Sequence, residues 1–355
     1  MAAQNDFLTF ATGGGANVVT QNEYSSLGLG SSGFQSGIAP SAQLNKVWRQ
    51  SSIMAAMIGQ FIVDNTTNPA IDDGSTANLE LSFKAAIQAV TRIKATGNTT
   101  FYVNTAFGLD TNTGLTSLVP FKTINACINA IYHGWDFNGY TCTISIANGT
   151  YNEGNALTGL PLGCSAVNFV GNVDAPSYVI INATNSNCFY VAGGFIGSIS
   201  GVTLVASGVT NGPSSNGWGV RAFNALVTLN IVAFGTCQNG QVCASTGGIV
   251  AAAIGTSLSF TGTSPFAMYA QAGGSIWFAG ITIVFFAGTT YSVATAGITA
   301  GASLYINGTT FINPTYVTGT RYINQYSSLI YTNLGGTSFI PGSVSGSTDS
   351  TSNYV

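Results

Sequence analysis

One short phrase occurs twice between residues 274 and 311 and constrains the fold more than any other feature. The first copy reads SIWFAGITI from residue 275, and the second reads SLYINGTTF from residue 303. Fainter copies read SISGVTL from residue 198 and SLSFTGT from residue 257. Each copy has a short alternating strand, a glycine where the backbone bends, and a second strand that begins near a threonine.

The spacing of these copies indicates a stacked architecture. Their glycines occupy positions 201, 262, 280 and 308, and successive positions differ by 61, 18 and 28. If the first step covers two turns, the period is about 20–30 residues, which is the range of solenoids. Such a unit cannot bury its apolar face alone and must stack on its neighbours. The sequence therefore predicts a mainly β solenoid.

The composition excludes several partners. Only 5% of the 355 residues are charged, against about 25% in a typical domain. No apolar run reaches the roughly 18 residues that a spanning helix needs, so we expect no membrane insertion. The chain has no basic stripe, which argues against a nucleic-acid partner. The N-terminus lacks the pattern of a signal peptide, and we expect synthesis in the cytoplasm.

The sequence predicts no metal or cofactor. Six cysteines show neither a CxxC pair nor metal-like spacing with His133, and we expect buried free thiols. The stretch from Gly28 to Gly33 fits G-x-G-x-x-G, but no strand precedes it and Pro40 interrupts the required helix. We interpret His133 as a structural residue at the end of a helix.

Three regions follow from the patterning. Residues 1–98 hold an extended arm over residues 1–40 and two amphipathic helices, one capped by Ser41 and one from Thr76 that ends near Gly97. Residues 99–320 form the solenoid, with a covering helix that Pro120 opens. Residues 321–355 form a C-terminal segment, because Pro314 is expected to end the run of turns.

Several motifs carry a resemblance to known proteins. The runs NDFLTFATGGGANV from residue 5, GFQSG from residue 33 and LNKVWRQ from residue 44 resemble the N-terminal region of tailed-bacteriophage tail fibres and tailspikes. The runs DTNTG from residue 110, PFKTI from residue 120 and GTYNE from residue 149 resemble the entrance of a pectate-lyase-like parallel β-helix. The run GTSFIPG from residue 336 resembles phage fibre C-termini.

The resemblance implies a right-handed parallel β-helix that forms a homotrimer in the virion tail. A small N-terminal helical domain would attach it to other tail or baseplate proteins. The residues of the matching motifs that would serve virion attachment are Asn5, Phe7, Phe10, Leu44, Lys46, Trp48 and Arg49.

Catalysis has only one pair of candidates in the solenoid. Glu153 and Asp174 are separated by about one turn and could stack at about 4.8 Å. Such a pair would raise one pKa, as in an acid/base pair. However, both are turn residues, and no Asp or Glu occurs from residue 175 to 348. We therefore expect no enzymatic activity.

The function that the sequence favours is structural and adhesive: a tail fibre or tailspike subunit that contacts a glycan on the host surface. Two alternatives remain open, a polysaccharide depolymerase and a baseplate protein that never touches the receptor. Aromatic side chains can stack on sugars. The candidate glycan contacts are Trp135, Trp218, Trp277 and Tyr305.

Overall fold

The computed structural model describes residues 4–208 and 216–355. The chain forms two compact units, one ending at Ile93 and the other beginning at Lys94. The second unit is a parallel β-solenoid of about eight turns, and the first is helical. The predicted fold class, a mainly β solenoid with an N-terminal helical region, is confirmed, while the handedness of the coil stays a prediction.

The first unit is built from four helices in its described part: α1 (Gln21–Ser26), α2 (Leu29–Ser32), α3 (Ser41–Asn65) and α4 (Thr76–Val90). Helices α3 and α4 are the two predicted ones. Their buried residues include Ile62 and Ala86, and the Phe61 and Phe83 rings meet edge-to-face with centroids 6.0 Å apart. The predicted extended arm is wrong in part, because α1 and α2 lie within it.

The predicted ends of these helices need correction. Pro40, with its extended backbone, occupies the N-cap position of α3, and Ser41 is the first helical residue. Helix α4 ends at Val90, well before Gly97. Thr91 has an extended backbone, and both its amide and its hydroxyl donate to the Ile87 carbonyl. Both bonds go to the Ile87 carbonyl, and the extended backbone of Thr91 ends the helix without a glycine.

Over the described residues, the solenoid consists of three parallel sheets. Sheet 1 contains Thr99–Val103, Cys142–Ile146, Val167–Val170, Ile196–Ser200, Leu226–Asn230, Ile249–Ala252, Ser275–Trp277, Ser303–Tyr305, Leu329–Tyr331 and Asn353–Tyr354. Sheet 2 contains Gly149–Tyr151, Val179–Thr184, Thr203–Ser207, Val232–Cys237, Ser257–Phe260, Thr282–Phe285 and Thr310–Ile312. Sheet 3 contains Asn155–Thr158, Phe189–Ala192, Trp218–Phe223, Gly240–Ser245, Thr263–Gln271, Thr290–Thr299, Tyr322–Gln325 and Ser347–Thr348, with Thr318–Gly319 paired to Thr290–Thr299. The remaining short strands are Ile93–Lys94 and Trp135–Asp136, and 3-10 turns form at Pro176–Tyr178 and Pro314–Tyr316.

The two clearest sequence copies lie on top of each other. In sheet 1, Ser275–Trp277 pairs in register with Ser303–Tyr305, an offset of 28 (303 − 275). In sheet 2, Thr282 lies opposite Thr310, again an offset of 28 (310 − 282). Earlier turns are offset by 30 (226 − 196) and by 23 (249 − 226). These offsets confirm the predicted irregular period of about 20–30 residues.

The four repeated glycines were expected at equivalent bends of the solenoid, and this is wrong for one of them. Gly201, Gly280 and Gly308 all connect sheet 1 to sheet 2, with φ values of 65°, 68° and 67°. Gly262 instead connects sheet 2 to sheet 3. The step from residue 201 to 262 is therefore not two turns. Equivalent corners can hold other residues, such as Ile231 with φ 52°, so glycine alone does not count turns.

The interior of the solenoid is a column of apolar side chains. Phe234, Phe260 and Phe285 stack along sheet 2 with centroid distances of 5.0 Å and 5.9 Å. At one end, helix α5 (Ile124–Gly134) buries the face that the sequence predicts, including Ile124, Cys127 and Ile131.

The start of helix α5 differs from the prediction. The helix begins at Ile124 after the N-cap Thr123, rather than at Pro120. Pro120 fails to open it because the following residue, Phe121, is held in a β-bridge to Val103. The threonine side chain accepts a hydrogen bond from the amide of Ala126, which is the usual role of an N-cap.

The predicted end of the solenoid at Pro314 is wrong. Tyr322–Gln325 pairs with Thr290–Thr299, and Leu329–Tyr331 pairs with Ser303–Tyr305. The turn of Pro314–Tyr316 is only a connection, because a proline outside a strand removes no ladder hydrogen bond. The pairing continues to Asn353–Tyr354, so the predicted segment 321–355 belongs to the stack.

Polar ladders replace charges on the solenoid surface. Asn182 donates to Asn152 at 2.9 Å, Ser275 and Ser303 share a hydrogen bond of 2.8 Å, and Thr290 and Thr318 share another of 2.8 Å. Over the described residues, the only salt bridge is the exposed pair Lys84–Glu80 in α4. Exposed salt bridges of this kind contribute little to the free energy of folding. No helix in this part of the chain is long and apolar enough to cross a membrane.

Candidate functional site

Glu153 is held at the start of helix α5. Its carboxylate accepts from the amide of Ile124 at 2.8 Å and from the amide of Asn125 at 3.0 Å. These are free amides of the first helical turn, which a carboxylate is suited to cap. Burial raises the pKa of Glu153, although both amide bonds oppose that rise, and the nearby Asp110 carboxylate adds to it. The raised pKa thus has a structural cause.

Asp174 does not stack on Glu153. The strand Gly149–Tyr151 pairs with the next strand of sheet 2 so that Tyr151 lies opposite Ile181, an offset of 30 (181 − 151). Glu153 follows its sheet 2 strand, whereas Asp174 precedes the next one and is exposed. The two carboxylates therefore lie at different corners of the solenoid. The predicted stacking is wrong because this turn is longer than the separation of Glu153 and Asp174 in the sequence.

We expect the two carboxylates to differ in their effect on stability. Glu153→Gln should lower the free energy of unfolding by about 1–3 kcal/mol, because one of two helix amides loses its acceptor. Asp174→Asn, the matched control, should change it by less than about 0.5 kcal/mol. Chemical denaturation measures both. Loss of a polysaccharide-cleaving activity in Glu153→Gln, with the fold intact, would contradict the structural role.

The other carboxylates of the solenoid unit also bind backbone amides. Asp110 accepts from the amides of Lys122 and Thr123 at 3.0 Å and 2.9 Å. Asp136 accepts from Asn138 at 3.0 Å. Asp349 accepts from the amide of Tyr326 at 2.7 Å, and this bond, together with bonds from Ser352 and Thr351, lowers the pKa of Asp349 to about 2. Each of these carboxylates therefore stabilises a turn or a helix end. The middle turns of the solenoid contain no Asp or Glu, because none occurs from residue 175 to 348.

The cysteines and His133 form no metal centre in the described part of the chain. No group of three or more His, Cys, Asp or Glu residues is arranged to hold an ion there. All six cysteines are buried and free, as the sequence predicts. Burial raises the pKa of Cys188 and Cys243 to about 12, so these thiols stay protonated near neutral pH. His133 lies in the last turn of α5.

Two of the four aromatic candidates are packed inside the protein. Trp218 is 0% exposed and stacks on Tyr269 with centroids 5.7 Å apart. Trp135 is half-buried between Phe101, at 5.2 Å, and Phe137, at 6.0 Å. The burial of Trp218 excludes a direct glycan contact in this conformation. Trp135 packs against the apolar core of the solenoid. The sequence could not separate these residues from exposed ones, because strand alternation alone does not tell which face is covered.

The other two candidates lie next to each other on the outside of sheet 1. Trp277 is 49% exposed, and its ring meets that of Tyr305 edge-to-face with centroids 5.8 Å apart. Tyr305 in turn packs against Tyr331 at 6.1 Å. The three residues are in register, Trp277 opposite Tyr305 and Tyr305 opposite Tyr331. We call this row, residues 277, 305 and 331, the aromatic ladder.

The ladder continues a column whose earlier members are small. Trp277 lies opposite Ala251, which lies opposite Thr228, and Thr228 lies opposite Ser198. Tyr331 was not among the residues predicted from the sequence, although its offset of 26 from Tyr305 (331 − 305) matches one turn and could have revealed it. The ladder therefore offers three adjacent ring surfaces on a flank that carries no carboxylate.

The predicted attachment residues of the first unit fall into two groups. Asn5 and Phe7 hold the chain start onto the unit, since Asn5 forms a bridge to Ala70 and Phe7 packs on its apolar cluster. Lys46 is 5% exposed, with its ammonium 5.9 Å from the Tyr24 ring centroid. These contacts stabilise the unit itself.

The second group reaches the surface. Trp48 is 55% exposed and Phe10 is 44% exposed, and their rings meet edge-to-face at 5.9 Å. Leu44 and Arg49 are partly exposed on the same helix as Trp48, α3. This surface is accessible to a partner, and its role in virion attachment stays a prediction.

Comparison with known proteins adds little to this description. No protein-family model and no curated protein matches the chain. Two solved structures of the pectin methylesterase from Aspergillus niger are similar, one deglycosylated and one with an N-acetylglucosamine stub, each at 13% identity over 75% of this chain and 92% of theirs. The TM-scores of 0.38 and 0.37 are too low to carry an argument about activity. The fold rests on the strand pairing itself.

Proposed function

We propose that this chain is a structural, adhesive subunit of a phage tail fibre or tailspike, which binds a glycan on the host surface. The aromatic ladder carries the proposal. Three partly exposed aromatic residues in register can contact successive sugar units, because an aromatic π face attracts positively polarised C–H groups. The N-terminal motifs that resemble tail proteins support the location in the virion. The cap roles of Glu153 and Asp110 argue for binding without cleavage.

We also propose that the chain assembles as a homotrimer. A surface with few charges disperses a lone solenoid poorly, and cyclic symmetry is a common way to cover such a flank. The helical first unit would then bind another tail or baseplate protein. Mass measurement in solution at micromolar concentration tests the trimer, and a stable monomer would contradict it.

The ladder can be tested by adsorption. Trp277→Ala should weaken binding of the purified protein to sensitive host cells about two- to tenfold, since one aromatic contact is worth roughly 0.5–1.5 kcal/mol. The matched control is Phe286→Ala, which removes a ring that is 51% exposed next to sheet 2. We expect the control to bind normally.

These two variants and the unaltered protein together separate binding from the other functions. If Trp277→Ala changes the mass of the assembly and leaves adsorption intact, the ladder is a subunit interface and the glycan proposal fails. If the unaltered protein releases oligosaccharide from the host polysaccharide, it is a depolymerase rather than a binding protein. Adsorption that Phe286→Ala impairs equally would also contradict the assigned site.

A further inference from the structure

A second apolar cluster lies on the outer face of sheet 3. Val242 and Met268 belong to the main core, while the alternating residues Cys243 and Tyr269 belong to a separate cluster. Since successive side chains of a strand point to opposite faces, Cys243 and Tyr269 lie outside the coil. The buried members of this cluster are Trp218, Cys243, Phe266, Tyr269 and Ala294. Sheet 3 therefore carries buried apolar side chains on both of its faces.

In this cluster, the rings of Phe266 and Tyr269 pack over Gly297 and form the wall of a pocket. Tyr269 lies opposite Gly297 in the sheet, so the outward column lacks a side chain at that point. A β-carbon at Gly297 would approach ring atoms of Phe266 to 2.6 Å and of Tyr269 to 2.9 Å. The resulting pocket has a volume of about 220 Å³, and its lining includes Phe266, Tyr269, Gly297, Thr299, Ile323 and Gln325. We call it the sheet 3 pocket.

The aromatic wall of the pocket is rigid. Phe266 and Tyr269 pack with centroids 4.8 Å apart, and Tyr269 stacks on Trp218 at an interplanar angle of 27°. The Tyr269 hydroxyl donates to Gln271 at 3.1 Å. Trp218 in turn lies against Gly240, where any β-carbon would meet its ring. Rings fixed in this way lose little freedom when a ligand binds.

We propose that the sheet 3 pocket binds a single uncharged pyranose ring of a saccharide. The volume lies below the roughly 300 Å³ at which drug-sized pockets begin, so it fits one ring rather than a chain. The two aromatic rings suit an apolar sugar face, while the Thr299 hydroxyl and the Gln325 amide offer hydrogen bonds to sugar hydroxyls. None of the described lining residues is charged. That the ring comes from a host glycan rests on the proposed function.

The test uses simple sugars rather than cells. The full-length protein is titrated with the methyl glycosides of glucose, N-acetylglucosamine and rhamnose, and with methyl glucuronoside as the charged probe. Saturation-transfer NMR and intrinsic tryptophan fluorescence report binding. We expect at least one of the three uncharged glycosides to bind. Methyl glucuronoside should bind at least tenfold more weakly, because the described lining holds no cation to pair with its carboxylate.

Three variants locate the binding. Gly297→Ala should force its methyl group against the Phe266 and Tyr269 rings, displace this aromatic wall and abolish binding. Gln325→Ala should raise the dissociation constant about two- to tenfold through one lost hydrogen bond. Thr263→Ala, at an exposed position of the same strand as Phe266 and Tyr269, is the control that should bind normally. Gln325 is partly exposed, so Gln325→Ala tests the pocket even if Gly297→Ala unfolds.

Each outcome decides the proposal. Absence of binding to every uncharged glycoside, or binding that both pocket variants retain, would overturn it. If methyl glucuronoside binds as tightly as the uncharged glycosides, the proposed preference for an uncharged ring is overturned. Sugar binding in a protein that fails to adsorb to cells would overturn the proposed function and leave the pocket intact. Adsorption that depends on Trp277 without any monosaccharide binding would overturn the sheet 3 pocket and leave the proposed function intact.

Discussion

Phe285→Ala will lower the free energy of unfolding by about 3–5 kcal/mol, the usual cost of emptying a phenylalanine site in a core. Phe285 is 0% exposed, and its ring stands between those of Phe260 at 5.9 Å and Phe311 at 6.1 Å. Removal leaves a cavity between two turns. Both neighbours then lose a stacking partner, and the interface between turns is what stabilises a solenoid.

The adjacent residue provides a matched control. Phe286 is 51% exposed, so Phe286→Ala should cost less than about 1 kcal/mol. Guanidinium unfolding followed by circular dichroism measures both variants. An equal loss of stability from the two changes would show that Phe285 does not occupy the core column and would contradict the register of sheet 2.

Deletion of residues 1–93 should leave a folded solenoid that no longer enters phage particles. The apolar cluster of the first unit, which includes Ile62, Ala70 and Ala86, shares no residue with the main cluster of the solenoid. Because the two clusters are separate, the solenoid keeps its buried surface, and its melting temperature should change by only a few degrees. Incorporation should be lost completely, since the proposed attachment surface around Trp48 is removed.

Immunoblots of purified particles measure incorporation, and circular dichroism measures the fold. The control is the full-length chain with Trp277→Ala, which should enter particles normally and adsorb poorly. Truncated protein found in particles at normal levels would contradict the attachment role of the first unit. A truncated chain that fails to fold would contradict the independence of the two units.

Local patterns predicted some parts of the candidate sites. The repeat from residue 275 to 311 places Trp277 and Tyr305 at equivalent positions, and the pairing of the two copies brings their rings together. No local pattern distinguishes these residues from Trp218, which the outer cluster of sheet 3 covers completely. The sheet 3 pocket was not predicted, since it arises where Gly297 lies opposite Tyr269.

The sequence by itself determined the solenoid, its approximate period, the buried cysteines and the apolar face of helix α5. These follow from short-range patterns, which reflect the energy of burying each strand and helix face. Only the tertiary structure decided the lengths of individual turns, and with them which residues meet. The turn from Tyr151 to Ile181 is longer than the step between Glu153 and Asp174, so the two carboxylates lie apart. Glu153 instead caps helix α5 through the amides of Ile124 and Asn125. Register is a property of pairs of turns, so no single stretch of sequence contains it.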